Sequence, residues 1–413
     1  MRTLPMAETP SVQRWLTLIG IGEDGPAGIG DDAKRLIAEA RIVFGGARHL
    51  DLMGPVITGE TQTWLSPFEK SIEVVLARRG KPTVVLASGD PFFYGVGATL
   101  SRHIPAAEMT VIPASSSFSL AASRLGWPLQ ETTVLSLHGR SIDLIRPHLH
   151  SGRKILVLTS NGKGPAELAA LLRSSGFGPS ELAVLEALGG PYEKVSRETA
   201  ASFSLSGIND LNICGVDVKA EAGARILPLS AGLPDELFEH DGQITKREIR
   251  AMTLSALAPR YGELLWDIGA GSGSIGIEWM LADTSLRAIA IEASVERAAR
   301  IRRNAANFGV PGLTVVEGGA PAALTGLPAP DAIFIGGGGS NAGVLETAIG
   351  QLKSGGRLVA NAVTTEMEAL LLAEQARRGG SLIRIDIARA APVGRMTGWR
   401  PAMPVMQWSW IKP

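Results

Sequence analysis

The stretch 264–278, LLWDIGAGSGSIGIE, holds the residues whose types and spacing are best suited to bind a ligand. An apolar run leads to Asp267, and glycines follow at positions 269, 271 and 273. Glycines let the backbone approach a ligand closely, and a helix N-terminus behind them offers unpaired N–H groups. An apolar strand, a Gly-rich turn and a helical pattern in this order predict the first unit of a nucleotide-binding α/β domain.

Two ligands compete for this turn. Gly271, Gly273 and Gly276 match the dinucleotide pattern G-x-G-x-x-G, which is a weak signal for NAD when it stands alone. The wider phrase DIGAGSG, with its leading Asp267, resembles motif I of the Rossmann-like (class I) S-adenosylmethionine (SAM) methyltransferases and favours SAM. Glu292 ends the next apolar strand, where a carboxylate can accept both ribose hydroxyls of either ligand. A turn that serves only packing is the remaining alternative.

Composition narrows the class of protein. A length of 413 residues predicts two or three domains, and 40 basic against 40 acidic residues without a basic tract give no reason to expect nucleic-acid binding. The single cysteine, Cys214, excludes an internal disulfide and fits a reducing compartment. The N-terminal 14 residues lack the apolar core of a signal peptide, and no run of 18 apolar residues can span a membrane, so we expect a cytoplasmic protein. The six histidines lack metal-ligand spacing, and no metal site is expected.

Strands and helices alternate along the first half of the chain. The apolar strand 15–22 runs into GIGEDG, the β-branched strand 83–87 breaks at SGDPFFYG, and the strand at 111–112 leads to PASSS. These serines either cap the following helix or hydrogen-bond a polar ligand. Several strands lie close together after residue 130, which predicts mixed α/β structure there.

Four phrases of the first half, taken in order, resemble the tetrapyrrole methylase family: GIGEDG at 20–25, SGDPFFYG at 88–95, PASSSFSLAASRLGW at 113–127 and SLHGR at 136–140. In that family two α/β lobes hold SAM in the cleft between them. The resemblance implies a domain at 14–222 with lobes 14–112 and 113–222, and a SAM site at Gly22, Gly89, Asp90, Ser116 and Ser117. The family's usual G-x-G-P-G is interrupted here by Glu23-Asp24, a departure found in the branch that acts on precorrin-6.

The second half follows a stretch at 223–242, rich in Gly, Pro, Asp and Glu, that we predict to be a linker. Thr245 with Glu248 three residues later predicts a capping box for a helix that reaches Leu257. Further strands are expected at 313–316, 331–335, 356–363, 383–387 and 405–411. Small or polar residues follow these strands, at the edge where open α/β sheets bind ligands.

This half resembles the decarboxylating precorrin methyltransferase module, a Rossmann-like domain expected here at 243–413. The matching phrases are GQITKREIR, DIGAGSGSIGIE, EGGAP at 317–321 and FIGGGG at 334–339. Gly319 stands where the family usually has an acidic residue, which leaves only a backbone contact at that position. The resemblance implies a second SAM site formed by Thr245, Gly269, Ala270, Gly271, Ser272, Gly273, Glu292, Gly319 and Ala320.

Together the two resemblances imply an enzyme of cobalamin synthesis that takes a tetrapyrrole, precorrin-6B, to precorrin-8. The first half is expected to methylate C5, and the second to methylate C15 and decarboxylate the C12 acetate. The alternatives are the same chemistry on a cobalt-containing precorrin, one inactive half, an NAD-dependent oxidoreductase, and a non-catalytic tetrapyrrole carrier. Arg250, Arg395 and Arg400 are predicted to bind substrate carboxylates, since arginine forks suit carboxylates best. No catalytic side chain is predicted, and a homo-oligomer is expected.

Overall fold

The computed structural model describes residues 14–413, and the N-terminal stretch in which we predict no signal peptide lies, but for Arg14, outside the described part. The chain forms two compact units. Unit 1 comprises the chain up to Arg140 together with His150–Arg225, and unit 2 comprises Ser141–Leu149 and Ile226–Pro413. Among the described residues, no helix is both long and apolar enough to cross a bilayer.

The first sheet of unit 1 has five parallel strands in the order β3-β2-β4-β1-β5. Its central strands are apolar on both faces because helices cover the sheet on both sides. Leu18 and Val85 face one core cluster, and Ile19 and Leu86 face the other. The elements are β1 (Leu16–Ile21), α1 (Asp31–Glu39), β2 (Ile42–Gly45), α2 (Ala47–Met53), β3 (Glu60–Thr63), α3 (Glu69–Leu76), β4 (Thr83–Ser88), α4 (Val96–Leu100) and β5 (Met109–Ile112).

The second sheet of unit 1 is mixed, as the closely spaced strands after residue 130 predict. Its order is β6-β7-β10-β8-β9, and only the β6–β7 pair is parallel. Cys214 is fully buried in the central strand, and burial raises the pKa of its thiol to about 12. The elements are α5 (Ser117–Leu125), β6 (Thr132–Ser136), β7 (Lys154–Leu158), α6 (Gly164–Ser174), β8 (Glu181–Glu186), β9 (Lys194–Thr199) and β10 (Asn212–Asp217).

Unit 2 is built on a seven-stranded sheet in the order β13-β12-β11-β14-β15-β19-β16, of which β19 and β16 are antiparallel to their neighbours. The chain moves to one side of β11 through β12 and to the other through β14, and open α/β sheets bind ligands at such a switch point. The elements are α7 (Arg247–Leu257), β11 (Leu264–Ile268), α8 (Ser274–Ala282), β12 (Arg287–Glu292), α9 (Val295–Asn307), β13 (Thr314–Glu317), β14 (Ala332–Ile335), α10 (Val344–Gln351), β15 (Arg357–Ala362), α11 (Thr365–Arg378), β16 (Ser381–Ile385), β17 (Ala388–Val393), β18 (Met396–Pro401) and β19 (Val405–Ile411).

Two details of unit 2 differ from the expectations. The predicted capping box is wrong, because α7 begins one residue later than expected, with Lys246 as N-cap and no side-chain cap. Strands β17 and β18 pair as an antiparallel hairpin that the sequence did not predict. Within the predicted linker, Leu233 and Phe238 are buried, and the Phe238 ring stacks on Phe308 at a centroid distance of 4.2 Å.

Candidate functional site

The Gly-rich turn after β11 has a conformation that only glycine accommodates. Gly269 and Gly271 have φ values of +69° and +60°, in the left-handed region. A Cβ on Gly269 would lie 2.3 Å from the carbonyl oxygen of Gly337, and a Cβ on Gly271 would lie 2.9 Å from that of Gln243. The turn is therefore enclosed by backbone on two sides, and α8 begins immediately behind it.

Two buried carboxylates fix this turn. Glu292, 6% exposed at the end of β12, accepts the Gly271 N–H through Oε2 at 2.8 Å and the Ser294 N–H through Oε1 at 3.0 Å. Asp267 accepts the Gly276 N–H in the first turn of α8 through Oδ2 at 3.0 Å. Each oxygen of Glu292 keeps a further lone pair, so this carboxylate can accept a ligand hydroxyl as well.

Asp267 is an unusual acid. It is 1% exposed, and its Oδ1 has no hydrogen-bond partner among the residues that the structure describes. Burial, aided by the nearby Glu292 charge, raises the pKa of Asp267 to about 7, although the Gly276 N–H acts in the opposite direction. The Asp267 carboxyl group therefore changes between its protonated and ionised forms near neutral pH.

A cavity of about 550 Å³ lies over the carboxyl ends of the unit 2 strands. Gln243, Asn361 and Arg389 are among the lining residues that the sequence analysis did not select. Ser272 and Gly273 do not line the cavity, and within residues 14–413 the buried Ser272 hydroxyl has no hydrogen-bond partner. The predicted residues that do line it are Thr245, Gly269, Ala270, Gly271, Glu292, Gly319 and Ala320.

In unit 1, three loops meet at the carboxyl ends of β1, β4 and β5. A Cβ on Gly20 would lie 1.9 Å from the Gly89 carbonyl oxygen, and one on Gly89, whose φ is +56°, would lie 2.9 Å from the Ser115 carbonyl oxygen. The Ser116 hydroxyl accepts the Ser119 N–H at 3.1 Å and caps α5. The capping role that the serine-rich stretch predicts is thus present.

Two neighbouring cavities of unit 1 contain most of the predicted residues. Gly22 and Gly89 line a narrow one of about 60 Å³, and Ser116 lines a wider one of about 400 Å³. Ser117 lines both. Asp90 lines neither of them, and its Oδ1 accepts the Phe92 N–H at 2.8 Å, so this side chain shapes the turn. The wider cavity also has aromatic walls, formed by Trp64, Phe93, Tyr94 and Phe118.

A polar cluster that the sequence analysis did not select lies beside these cavities. His49 Nε2 lies 2.9 Å from an Arg48 guanidinium nitrogen and 2.8 Å from the Ser88 hydroxyl, and Arg48 is also ion-paired with Glu23. A guanidinium only donates, so Nε2 accepts and the imidazole is neutral. Burial and the Arg48 charge lower the pKa of His49 to about 4. The sequence signal for this cluster was the Gly45-Gly46 pair, which ends β2 directly before the helix that carries Arg48.

Comparison with known proteins identifies both halves. Residues 15–204 match the family model of the tetrapyrrole (corrin/porphyrin) methylases, and residues 236–412 match that of the precorrin methyltransferase domain. A precorrin-6Y C(5,15)-methyltransferase [decarboxylating] of Sinorhizobium sp is 68% identical over 412 residues, covering 100% of both chains. Its counterpart in Mycobacterium tuberculosis is 39% identical over 404 residues, covering 96% of this chain and 100% of the relative. The chain belongs to the family of decarboxylating precorrin-6Y C(5,15)-methyltransferases.

A solved structure of the C-terminal domain of a precorrin-6Y C5,15-methyltransferase from Rhodobacter capsulatus is 52% identical, covering 45% of this chain and 100% of that one, with a TM-score of 0.43. Membership of the decarboxylating precorrin-6Y C(5,15)-methyltransferases confirms the two resemblances and the predicted α/β fold class, a two-lobed tetrapyrrole methylase followed by a Rossmann-like methyltransferase. It favours a methyltransferase over the NAD-dependent and carrier alternatives.

One predicted substrate residue of this precorrin-6Y methyltransferase has a different role. Arg250 is 0% exposed, and its guanidinium makes four hydrogen bonds. Nε donates to Glu278 at 2.5 Å, Nη1 donates to Asp235 at 3.1 Å, and further bonds reach the carbonyl oxygens of Leu233 and Thr245. Arg250 is fully buried and does not line the unit 2 cavity, so it is not placed to contact a substrate there.

The other two predicted arginines lie on the β17–β18 hairpin. Arg395 is exposed at its tip, and Arg400 is exposed on β18 directly opposite Arg389. Arg389 lines the unit 2 cavity and is ion-paired with Glu248. Two like charges directly opposite one another destabilise a hairpin unless an anion lies nearby, and Glu248 supplies an anion to Arg389 here.

Proposed function

We propose that this precorrin-6Y methyltransferase uses SAM as its methyl donor, with one site in each unit, and converts precorrin-6B to precorrin-8. Unit 1 methylates C5, and unit 2 methylates C15 and removes the carboxyl of the C12 acetate. The observation that carries the proposal is the full-length relationship to the Sinorhizobium enzyme, combined with a Gly-rich crevice at the strand ends of each unit. The C5 and C15 assignment extends the resemblance of each half to its own family.

The unit 2 crevice fits the groups of SAM. Glu292 has lone pairs for ribose hydroxyls, and the turn at Gly269 and Gly271 leaves room for close backbone approach. Ala270, Gly319 and Ala320 would line the nucleoside side, and Thr245 the opposite wall. Ser272 and Gly273 would act through the shape of the turn rather than by contact.

The unit 1 crevice also fits SAM, but it offers backbone groups and a hydroxyl where unit 2 offers a carboxylate. Gly22, Gly89 and Ser117 line the narrow cavity, where backbone groups and a hydroxyl would hold the cofactor. The wider, aromatic cavity is suited to a flat macrocycle, because aromatic rings stack on extended π-systems. Asp90 would keep the turn between the two cavities in shape.

The chemistry demands little acid–base help from the chain. When bound, SAM supplies a methyl group on a sulfonium, which is already a strong electrophile. The protein must align an electron-rich macrocycle carbon with that methyl, and such positioning can contribute roughly 7–11 kcal/mol. For decarboxylation, the walls of unit 2 would desolvate the acetate while cations hold the remaining carboxylates. The macrocycle itself can accept the electron pair that carbon dioxide leaves.

Arg389, rather than Arg250, would bind a substrate carboxylate. It lines the cavity, and Glu248 keeps its guanidinium in place. Arg400 opposite and Arg395 at the tip would contact carboxylates at the rim of the macrocycle. Replacing Arg389 with Ala should raise the Michaelis constant for precorrin-6B more than replacing Arg395 with Ala does. If both variants kept the wild-type Michaelis constant, the hairpin would not be part of the substrate site.

Mass spectrometry of precorrin-6B incubated with the full chain and methyl-labelled SAM tests the proposal. Two labelled methyls with loss of carbon dioxide are expected. One methyl with carbon dioxide lost would leave only unit 2 active, and one methyl without it only unit 1. If precorrin-6B were unchanged but its cobalt-containing counterpart were converted, the substrate would be the cobalt-containing precorrin instead. No change in either would overturn the proposal.

A further inference from the structure

Three polar side chains form a closed network beside the unit 2 cavity, and the function proposed above uses none of them. Asn361 of β15 donates through Nδ2 to the Thr253 hydroxyl of α7 at 3.0 Å. Gln407 of β19 donates through Nε2 to that hydroxyl at 3.0 Å and to Asn361 Oδ1 at 2.9 Å. Thr253 and Gln407 are 0% and 2% exposed, whereas Asn361 is only partly buried and lines the cavity.

Hydrogen-bond counting fixes the orientation of both amides. A hydroxyl has one hydrogen but two lone pairs, so Thr253 can accept from both amide nitrogens. If both amides were turned over, Thr253 would have to donate twice, which a hydroxyl cannot do. If only Asn361 were turned, two NH₂ groups would face each other, and if only Gln407 were turned, two amide oxygens would. Asn361 therefore keeps its oxygen toward Gln407, and one of its N–H groups is left over for the cavity.

The place of Asn361 in the sheet indicates which ligand this N–H meets. Strands β14, β11 and β12 follow β15 in order, so Asn361 is about 14 Å from the strand that ends in Glu292, at about 4.8 Å per strand. The cavity wall near Asn361 is apolar and includes Ile385 and Ile387, while Arg389 follows on the hairpin. Apolar side chains, one directed donor and the cations Arg389, Lys246 and Arg297 together suit a flat, carboxylated molecule.

We propose that Asn361 orients the substrate of unit 2, donating its remaining amide N–H to a carboxylate oxygen of the macrocycle. Thr253 and Gln407 are positioning residues that hold this amide in one orientation. Burying two polar side chains to fix a third is costly unless they are hydrogen-bonded, and here three hydrogen bonds join the three side chains. The assignment rests on the proposed function for the identity of the ligand, a tetrapyrrole carboxylate.

The test compares Asn361→Asp with the wild type, using carbon dioxide release from precorrin-6B to follow unit 2 alone. An aspartate of the same shape cannot donate and repels a carboxylate. The expected result is a Michaelis constant raised by about tenfold or more, since one hydrogen bond to a charged group is lost. Binding of S-adenosylhomocysteine, measured by calorimetry, should stay within about twofold of the wild type, on the same grounds that Asn361 lies away from the cofactor.

Two further variants separate orientation from folding. Thr253→Val removes the hydroxyl and should lower kcat/KM by a smaller factor, while Thr253→Ser should restore it. Gln351→Glu makes the same amide-to-acid change at the exposed end of α10 and should leave all constants unchanged.

The outcomes distinguish a failure of the role proposed for Asn361 from a failure of the proposed function. An Asn361→Asp variant with wild-type Michaelis constant would overturn the role of Asn361, and so would one that loses S-adenosylhomocysteine binding to the same extent as turnover. A wild-type chain that neither binds nor converts a precorrin would overturn the proposed function itself.

Discussion

The two units of this precorrin-6Y methyltransferase support their ligand crevices in different ways. Among the described residues, unit 1 buries one charged side chain, Glu186, and its crevice is shaped by close backbone contacts and serine hydroxyls. Unit 2 buries six charged side chains, and two of them hold the glycine turn directly. The geometry of the unit 2 crevice therefore depends on buried charges in addition to steric fit, while that of unit 1 depends mainly on steric fit. The six are Arg250, Asp267, Glu278, Glu292, Arg357 and Glu374.

The largest effects are expected where both units depend on steric fit alike. Gly20→Ala and Gly269→Ala each place a Cβ within 2.3 Å of a backbone oxygen, which cannot move aside. Each variant should lose one of two S-adenosylhomocysteine sites per chain, and calorimetric stoichiometry measures this directly.

Matched controls are Gly30→Ala and Gly350→Ala, whose Cβ atoms would meet nothing within 4 Å. Both should keep two sites. If either crevice variant kept both sites, the close contacts described for that unit would not limit binding.

The buried charges of unit 2 should matter next. Arg250→Met leaves Glu278 buried without its cation, which typically costs 3–5 kcal/mol. We expect the free energy of unfolding of unit 2 to fall by about that amount in urea denaturation, with the transition of unit 1 unchanged. Arg247→Met, at an exposed position on the same helix, is the control. A stable Arg250→Met chain with a raised Michaelis constant would instead restore the substrate role.

Glu292→Gln tests how far ionisation governs cofactor binding. The amide can accept only one of the two N–H groups that the carboxylate accepts, and it turns a donor toward the other. Hydrogen bonds to a charged group contribute about 1.5–3 kcal/mol, so S-adenosylhomocysteine should bind unit 2 roughly 10–150-fold more weakly. Glu317, paired in register with Glu292 on β13, is partly exposed at its side chain, and Glu317→Gln should have no such effect.

The last prediction concerns the pH dependence of stability. The pKa of Asp267 is raised to about 7, so the native state binds a proton more tightly than the unfolded chain does. The free energy of unfolding should therefore fall as pH rises from about 4 to about 7 and then level off. The difference between wild type and Asp267→Asn isolates this contribution from that of His49, whose lowered pKa acts in the opposite direction. A difference that is flat across this range would contradict the raised pKa.

Local phrases predicted the glycine turns and the strands that lead to them. The turn at Gly269 to Gly273 and the strand that ends in Glu292 follow from short-range patterns, because the conformation of a glycine turn is set by its own residues. The order of alternating strands and helices likewise follows from apolar periodicity. Family phrases then identified both halves.

Contacts between residues far apart in the chain explain features of the fold that the sequence did not predict. Arg250 and Glu278 are 28 residues apart, and nothing local separates a buried arginine from a solvated one. The Asn361, Gln407 and Thr253 network joins positions up to 154 residues apart, so only the folded sheet brings it together. The hairpin was missed because β17 and β18 are exposed and lack clear alternation.

The β17–β18 hairpin also has an evolutionary consequence. It is inserted between β16 and β19, whose five paired positions fix the edge of the sheet without its help. Substitutions or length changes in the hairpin can therefore accumulate at the proposed substrate end without disturbing the glycine turn proposed to hold the cofactor. Within such a fold, the range of macrocycles accepted can drift among descendants while the methyl-donor site is inherited intact.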